Sequence, residues 1–413
     1  MTTTYQPLQA TGLCADRVEE IWSALLSIKK DTDARHSGSA SAHTPPGELI
    51  GGALLNRYLY AICPDPAVEA SAERYVDRAL AAVHRLPLLG LYGGVLGVAW
   101  LLAHMARLDG ELADLSDIDD ILLAQLKAPW SDFYDLVFGL TGVGFYALER
   151  MPHTAGKEIL GMVIDRLAEM SRVADSKRVW HTSPEAVPPL RRRDHPKGYH
   201  DLGVAHGASG VVRLLAEAVN VGVRSDFARS MLDEAVPFVL SHLKQAGNRW
   251  VLPAYAEDGA RTASRLAWCY NELGAMTAVL AAGRACGREG WCDRAEGVMR
   301  SSFGLPVETS GCRDASLCHG SAGVAHIFQL VGRELGDGAF DREARRWINI
   351  VLAMRRSHEG VGEFLYFEVD AKTNTSGLVP NYSFLEGGPG VGLALLSAAW
   401  QVEPGWNRLL ALS

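Results

Sequence analysis

The stretch "HGASGVVRLLAEAV" at 206–219 sets a small residue, here Gly207, three positions before the glycine Gly210 and follows them with about ten mostly apolar residues. The same spacing returns in "GGVLGVAWLLAHM" from Gly93, "GLTGVGFYALERM" from Gly139, "YNELGAMTAVLAAG" from Tyr270, "HGSAGVAHIFQLVG" from His319 and "GGPGVGLALLSAAW" from Gly387. Their second glycines, Gly97, Gly142, Gly210, Gly274, Gly323 and Gly390, are 45, 68, 64, 49 and 67 residues apart. A seventh block, "GELIGGALLNRYLYAI" from Gly47, is a degenerate copy. A period of this length has room for an inner helix, an outer helix and a variable loop.

Glycine at a loop-to-helix junction permits a tight turn and close backbone approach. The runs behind the glycines are apolar almost all round, as helices buried on both sides are. More amphipathic stretches lie between them, at 70–86 and 226–245, and read as an outer layer. Repeated helix pairs close most simply into a ring, which buries the terminal faces an open array must cap. The expectation is therefore an all-α, double-layer α/α toroid of about seven helix-pair repeats, a single domain over 1–413 with polar loops at about 30–46 and 182–200. Short ribbons are expected in "NRWVLPAY" at 248–255 and "GEFLYFEV" at 362–369.

Bulk properties narrow the class. Apolar content of 48% and charged content of 21% describe a folded chain with a large core. A formal charge of −8 argues against nucleic acid as the main partner, and "RRR" at 191–193 is either a solvated run or a holder for an acidic peptide. Seven cysteines in a large chain whose opening "MTTTYQPLQATG" lacks a signal pattern point to a reducing cytoplasm. The 21 residues between Arg85 and Arg107 carry no Asp, Glu, Lys or Arg and imitate a membrane span. Their shorter sister blocks favour burial in protein, and no integral membrane protein is expected.

If the glycine turns share one end of the inner helices, the residues just before them meet: Asp135, His206, Arg265 with Trp268 and Cys269, Cys318 with His319, and Glu386. Cys269, Cys318 and His319 are two thiolates and an imidazole, a set suited to zinc (Zn2+), and three protein ligands leave the open position of a catalytic site. The bland alternative is that both cysteines are small core residues; Cys14, Cys63, Cys286, Cys292 and Cys312 lie outside the turn positions and are read as packing or incidental thiols. Two thiolates cancel the zinc charge, so a bound water is less acidified, whereas an incoming thiol would lose its proton and stay nucleophilic.

The blocks "AWCYNELG", "LCHGSAG", "LGVAHGASG" and "FGLTGVGFY" resemble those of the lanthionine synthetase C family, the cyclases of lanthipeptide biosynthesis, from about Gly47 to the end. The resemblance implies an α/α toroid with Cys269, Cys318 and His319 on zinc. It implies addition of a peptide cysteine thiol to dehydroalanine or dehydrobutyrine, forming a thioether ring. His206 matches the family's acid/base histidine, Asp135 its aspartate, and Arg265 its arginine ahead of the first zinc cysteine. Asp135 would orient His206, while Arg265 would pair with Asp135 or face the enolate. Tyr270 and Trp268 either line the site or pack. The implied partners are a dehydrated precursor peptide and a separate dehydratase. Two other readings are a prenyltransferase β-subunit relative and a glutathione-directed or non-catalytic thiol-binding relative of the cyclases. This chain departs from the pattern at Asn271, where the family reads WCYG, and at Asp201, commonly Asn. Asparagine is the residue after glycine best able to take left-handed backbone geometry.

Overall fold

The structure, a computed structural model, describes residues 13–36, 44–187, 192–257, 265–370, 373 and 375–412. Residues 1–12, His43, Arg191 and the central parts of both expected polar loops lie outside that set. Two compact units emerge, Met1–Leu86 with Gly304–Trp406, and Pro87–Phe303 with Asn407–Ser413.

In the first unit the helices Ser321–Leu335, Gly388–Ala399 and Pro46–Ile62 pack side by side in that order. Each has an outer companion, respectively Gly338–Ala353, Ala15–Arg35 and Pro66–Ala82. The first helix of the described chain thus pairs with the last inner one. In the second unit the inner helices Val95–Leu108, Leu140–Glu149, Ala208–Asn220 and Glu272–Cys286 pack in chain order. Thr154–Met170, Ser225–Ser241 and Glu289–Arg300 cover the last three of them, and Ser116–Leu126 packs on Thr154–Met170.

Six of these seven inner helices begin where the glycine spacing puts them, with N-caps Gly94, Gly139, Gly207, Asn271, Gly320 and Gly387. The seventh, the degenerate copy, starts at Pro46 without a glycine cap, proline taking the first turn where its missing N–H costs nothing. The second glycine of the motif is steric. A Cβ at Gly142, Gly210, Gly274, Gly323 or Gly390 would stand 2.0–2.4 Å from the carbonyl oxygen of Leu136, Val204, Trp268, Leu317 or Phe384. The inner helices are apolar almost all round because they are covered on most sides, and every residue of Gly388–Ala399 is buried.

The expected boundaries shift in three places. The loop expected from residue 30 is helical to Arg35, because Lys29 pairs with Asp33 one turn on and Thr32 Oγ1 donates to the Ile28 carbonyl, so polar composition does not end the helix. The outer stretch at 226–245 stops at Ser241, and Lys244–Ala246 instead pairs antiparallel with Arg249–Val251. The stretch at 70–86 belongs to Pro66–Ala82, capped by the Asp65 carboxylate, and a 3-10 turn at Val83–Arg85. Both expected ribbons are present, the second as Tyr366–Val369 with Ser376–Val379; a third, Arg172–Ala174 with Lys177–Val179, was not anticipated. Among the described residues no helix is long and apolar enough to cross a membrane; the apolar run after Arg85 yields the helix Val95–Leu108.

Candidate functional site

The turns ahead of the inner helices are stitched to one another by backbone. In the second unit Leu91 N–H donates to Val137 O at 2.9 Å, Leu136 N–H to Ala205 O at 3.2 Å, and Val204 N–H to Cys269 O at 2.9 Å. In the first, Cys318 N–H donates to Leu385 O and Phe384 N–H to Gly47 O, both at 2.9 Å. A repeated turn held this way puts equivalent positions in equivalent places. The residue just before the N-cap is Phe138, His206, Tyr270, His319 or Glu386, and the residue before that is Cys269 or Cys318 in two of the turns. The turn's first residue is pinned too. The Oδ1 atoms of Asp201, Asp314 and Asn381 each accept the N–H two residues on, at 2.8, 2.8 and 2.9 Å, an Asx turn in all three.

In the second unit the buried Asp135 accepts His206 Nδ1–H at 2.7 Å on Oδ2 and the Phe138 N–H at 2.6 Å on Oδ1. This fixes the tautomer that leaves His206 Nε2 able to accept a proton. Burial disfavours the His206 charge, but the Asp135 hydrogen bond and the nearby carboxylates outweigh it and raise the pKa above the ordinary histidine value. The Tyr270 hydroxyl donates to Asp201 Oδ2 at 3.1 Å. Asp201 is fully buried, and burial pushes its carboxyl up to about 7. Gly203 has no side chain because a Cβ there would lie 2.5 Å from Cys269 O and 2.8 Å from the Tyr270 ring.

In the first unit the buried Asp314 accepts Phe367 N–H at 2.9 Å on Oδ2, and the same oxygen lies 3.8 Å from His319 Nε2. The Tyr366 ring sits 5.5 Å from that of His319, and its hydroxyl donates to Glu386 Oε1 at 2.9 Å. Burial and the Glu386 charge hold the Tyr366 phenol above its usual range.

One donor atom from each of Cys269, Cys318 and His319 lies within 4.8 Å of the other two. Two soft sulfurs and an imidazole suit zinc, and a carboxylate beside a ligand histidine is the usual means of orienting such a ring. None of the seven cysteines is in a disulfide.

Of the residues expected from the sequence, the structure joins Asp135 to His206 and groups Cys269 with Cys318 and His319. Arg265 is half-buried, and the two Asp135 oxygens receive Phe138 and His206. Trp268 is a packing residue, its Nε1–H donating to Leu410 O at 2.7 Å. Arg192 of the basic run is turned back onto the carbonyls of Val187 and Glu185. Sequence reasoning missed Phe138, Asp314 and Tyr366. For Phe138 and Asp314 the signal was available, since each occupies the repeat position of a recognised residue.

A family model described as "Lanthionine synthetase C-like protein" matches residues 49–410. The nisin biosynthesis protein NisC of Lactococcus lactis subsp. lactis is 25% identical over 294 residues, 65% of this chain and 69% of that protein. Among solved structures, nisin cyclase superposes with a TM-score of 0.71 at 19% identity, covering 94% of this chain and 96% of that one. That likeness identifies the fold as the all-α α/α toroid expected from the glycine repeat. With repeat, fold and family model in agreement over nearly the whole length, the chain belongs to the lanthionine synthetase C-like family.

Proposed function

We propose that the protein is a zinc-dependent lanthipeptide cyclase, adding peptide cysteine thiols to dehydroalanine or dehydrobutyrine to form (methyl)lanthionine rings. The observation that carries the reading is the approach of Cys269, Cys318 and His319 donor atoms to within 4.8 Å of one another. Zinc held by these three residues would lower the pKa of an incoming thiol while leaving its sulfur nucleophilic. The chain's own groups then handle the protons. His206, with its Nδ1–H committed to Asp135, takes the thiol proton on Nε2. The sulfur forms a bond to the β-carbon, and the electron pair moves through the α-carbon to the carbonyl oxygen as an enolate. Arg265 is the cation assigned to that charge, and Tyr270 a neighbouring hydroxyl. Return of one proton to the α-carbon completes an addition with no leaving group. A separate dehydratase would supply the dehydrated peptide, and a reducing cytoplasm would keep its thiols free.

The test is incubation of zinc-loaded protein with a dehydrated, uncyclised peptide. Loss of free thiol without change of mass is expected; a gain of one glutathione mass when glutathione is present, with no ring, would transfer the chain to the glutathione-directed reading. Metal analysis beside it should show Cys318→Ala losing most of its zinc, and full retention would overturn the ligand assignment.

A further inference from the structure

The turn register places one residue at the same position as His206, Tyr270, His319 and Glu386 that has no part in the proton chemistry. This is Phe138, directly before the N-cap Gly139. Its ring stacks on His206 with centroids 5.7 Å apart and planes at 25°, and His206 in turn meets Tyr270 at 6.1 Å. On its other side Phe133 lies 5.8 Å away. Phe133, Phe138, His206 and Tyr270 therefore form a continuous row of rings. The Tyr270 end is half-buried, but Phe138 is 50% exposed and Phe133 is 37% exposed.

Two adjoining phenylalanines left open to water gain little from folding, and adjoining exposed apolar surface marks a place where something binds. The backbone of Phe138 is held as firmly as the dyad, because its N–H donates to the same Asp135 carboxylate that orients His206. Phe133 is anchored by its own carbonyl, which accepts Trp130 Nε1–H at 3.0 Å. A fixed ring beside a reactive group presents a binding face at small entropic cost. We propose that Phe138, with Phe133 beside it, is a specificity platform that takes the apolar side chain of the residue flanking the reacting cysteine in the substrate peptide. This rests on the cyclase reading, because it is the contact with His206 that makes the peptide the occupant.

Two dehydrated peptides identical except for Leu or Ser next to the cysteine test it, with kcat and KM measured for the wild type, Phe138→Ala and Phe138→Leu. The wild type should show a KM about tenfold lower for the Leu peptide, the size expected for burying most of one leucine side chain. Phe138→Ala should raise the KM of the Leu peptide about tenfold and erase the preference, and Phe138→Leu should restore much of it. Equal KM values for the two peptides in the wild type, or a preference that survives Phe138→Ala, would overturn the platform. So would a fall in kcat of Phe138→Ala by the same factor on both peptides together with a shifted pH profile, since the ring would then be positioning His206. If the wild type forms no thioether from either peptide, it is the cyclase reading that fails. Equilibrium binding of the same two peptides then decides the platform by itself: tighter binding of the Leu peptide, lost in Phe138→Ala, supports it, and equal affinities end it.

Discussion

The turn before Ala208 and the turn before Glu272 do the same work with different caps. Gly207 sits at φ −133°, ψ −166°, extended backbone open to any residue, yet a Cβ there would lie 2.4 Å from both the carbonyl and Oδ1 of Asp201. Asn271 sits at φ 72°, ψ −167°, a region that is essentially glycine's, and keeps a side chain. The geometry is not the ordinary left-handed turn expected of asparagine, because ψ is extended. Its Nδ2–H donates to Leu252 O at 2.8 Å, which helps offset a strain of about 1–3 kcal/mol. At Gly207 the demand is for space. At Asn271 it is for conformation, and a hydrogen bond across to a distant loop holds it.

The comparison breaks first at the second glycine, which both turns share. Gly274→Ala drives a Cβ to 2.0 Å from the Trp268 carbonyl oxygen and should cost about 5 kcal/mol or abolish folding, read by denaturant titration and soluble yield. Gly297→Ala, with nothing within 4 Å of its Cβ inside an outer helix, is the control and should be neutral or slightly stabilising. A mild Gly274→Ala would show that the turn can move.

Asp201 joins the two turns, accepting Gly203 N–H on one side and the Tyr270 hydroxyl on the other. Its folded pKa of about 7 lies above the unfolded value of about 3.9, so the folded chain holds the extra proton between them and wild-type stability falls as pH rises through that window. Asp201→Asn keeps the turn and removes the titration. Its stability relative to wild type should grow by up to about 1.4 kcal/mol per pH unit, about 4 kcal/mol in total, and level off above pH 7. A difference that does not vary between pH 4 and 7 would contradict the buried acid, whose carboxyl is raised chiefly by burial and is opposed by the nearby His206.

Smaller effects sharpen the contrast at Asn271. Asn271→Ala keeps the backbone demand and orphans the Leu252 carbonyl, and should cost about 2 kcal/mol in thermal or denaturant unfolding. Asn271→Gly exchanges the hydrogen bond for relief of strain and should stay within about 1 kcal/mol of wild type. If glycine is as damaging as alanine, the side-chain bond and not the backbone governs this turn.

Much of the fold is readable in the chain because the constraint that repeats is local. A glycine three residues after a helix cap is needed wherever the helix starts against its own loop carbonyl, and that pairing lies within six residues, as Gly210 with Val204 shows. The candidate thiols were readable for a similar reason: Cys269 and Cys318 precede their caps by the same two residues. Phe138 was overlooked because a phenylalanine in an apolar block looks like core until its exposure is known. Tyr366 was overlooked because a ribbon outside the repeat delivers it to His319 and Glu386.

By itself the sequence determined where the glycine- and asparagine-capped inner helices begin and which thiol- and imidazole-bearing residues precede those caps, since spacing and side-chain chemistry are properties of short segments. Only the tertiary structure decided that Ala15–Arg35 serves as outer partner to Gly388–Ala399, that Asp201 answers Tyr270 across 69 residues, and that Phe138 faces water beside His206. Those contacts join residues far apart in the chain, and they form only once burial and turn-to-turn hydrogen bonds have brought the segments together.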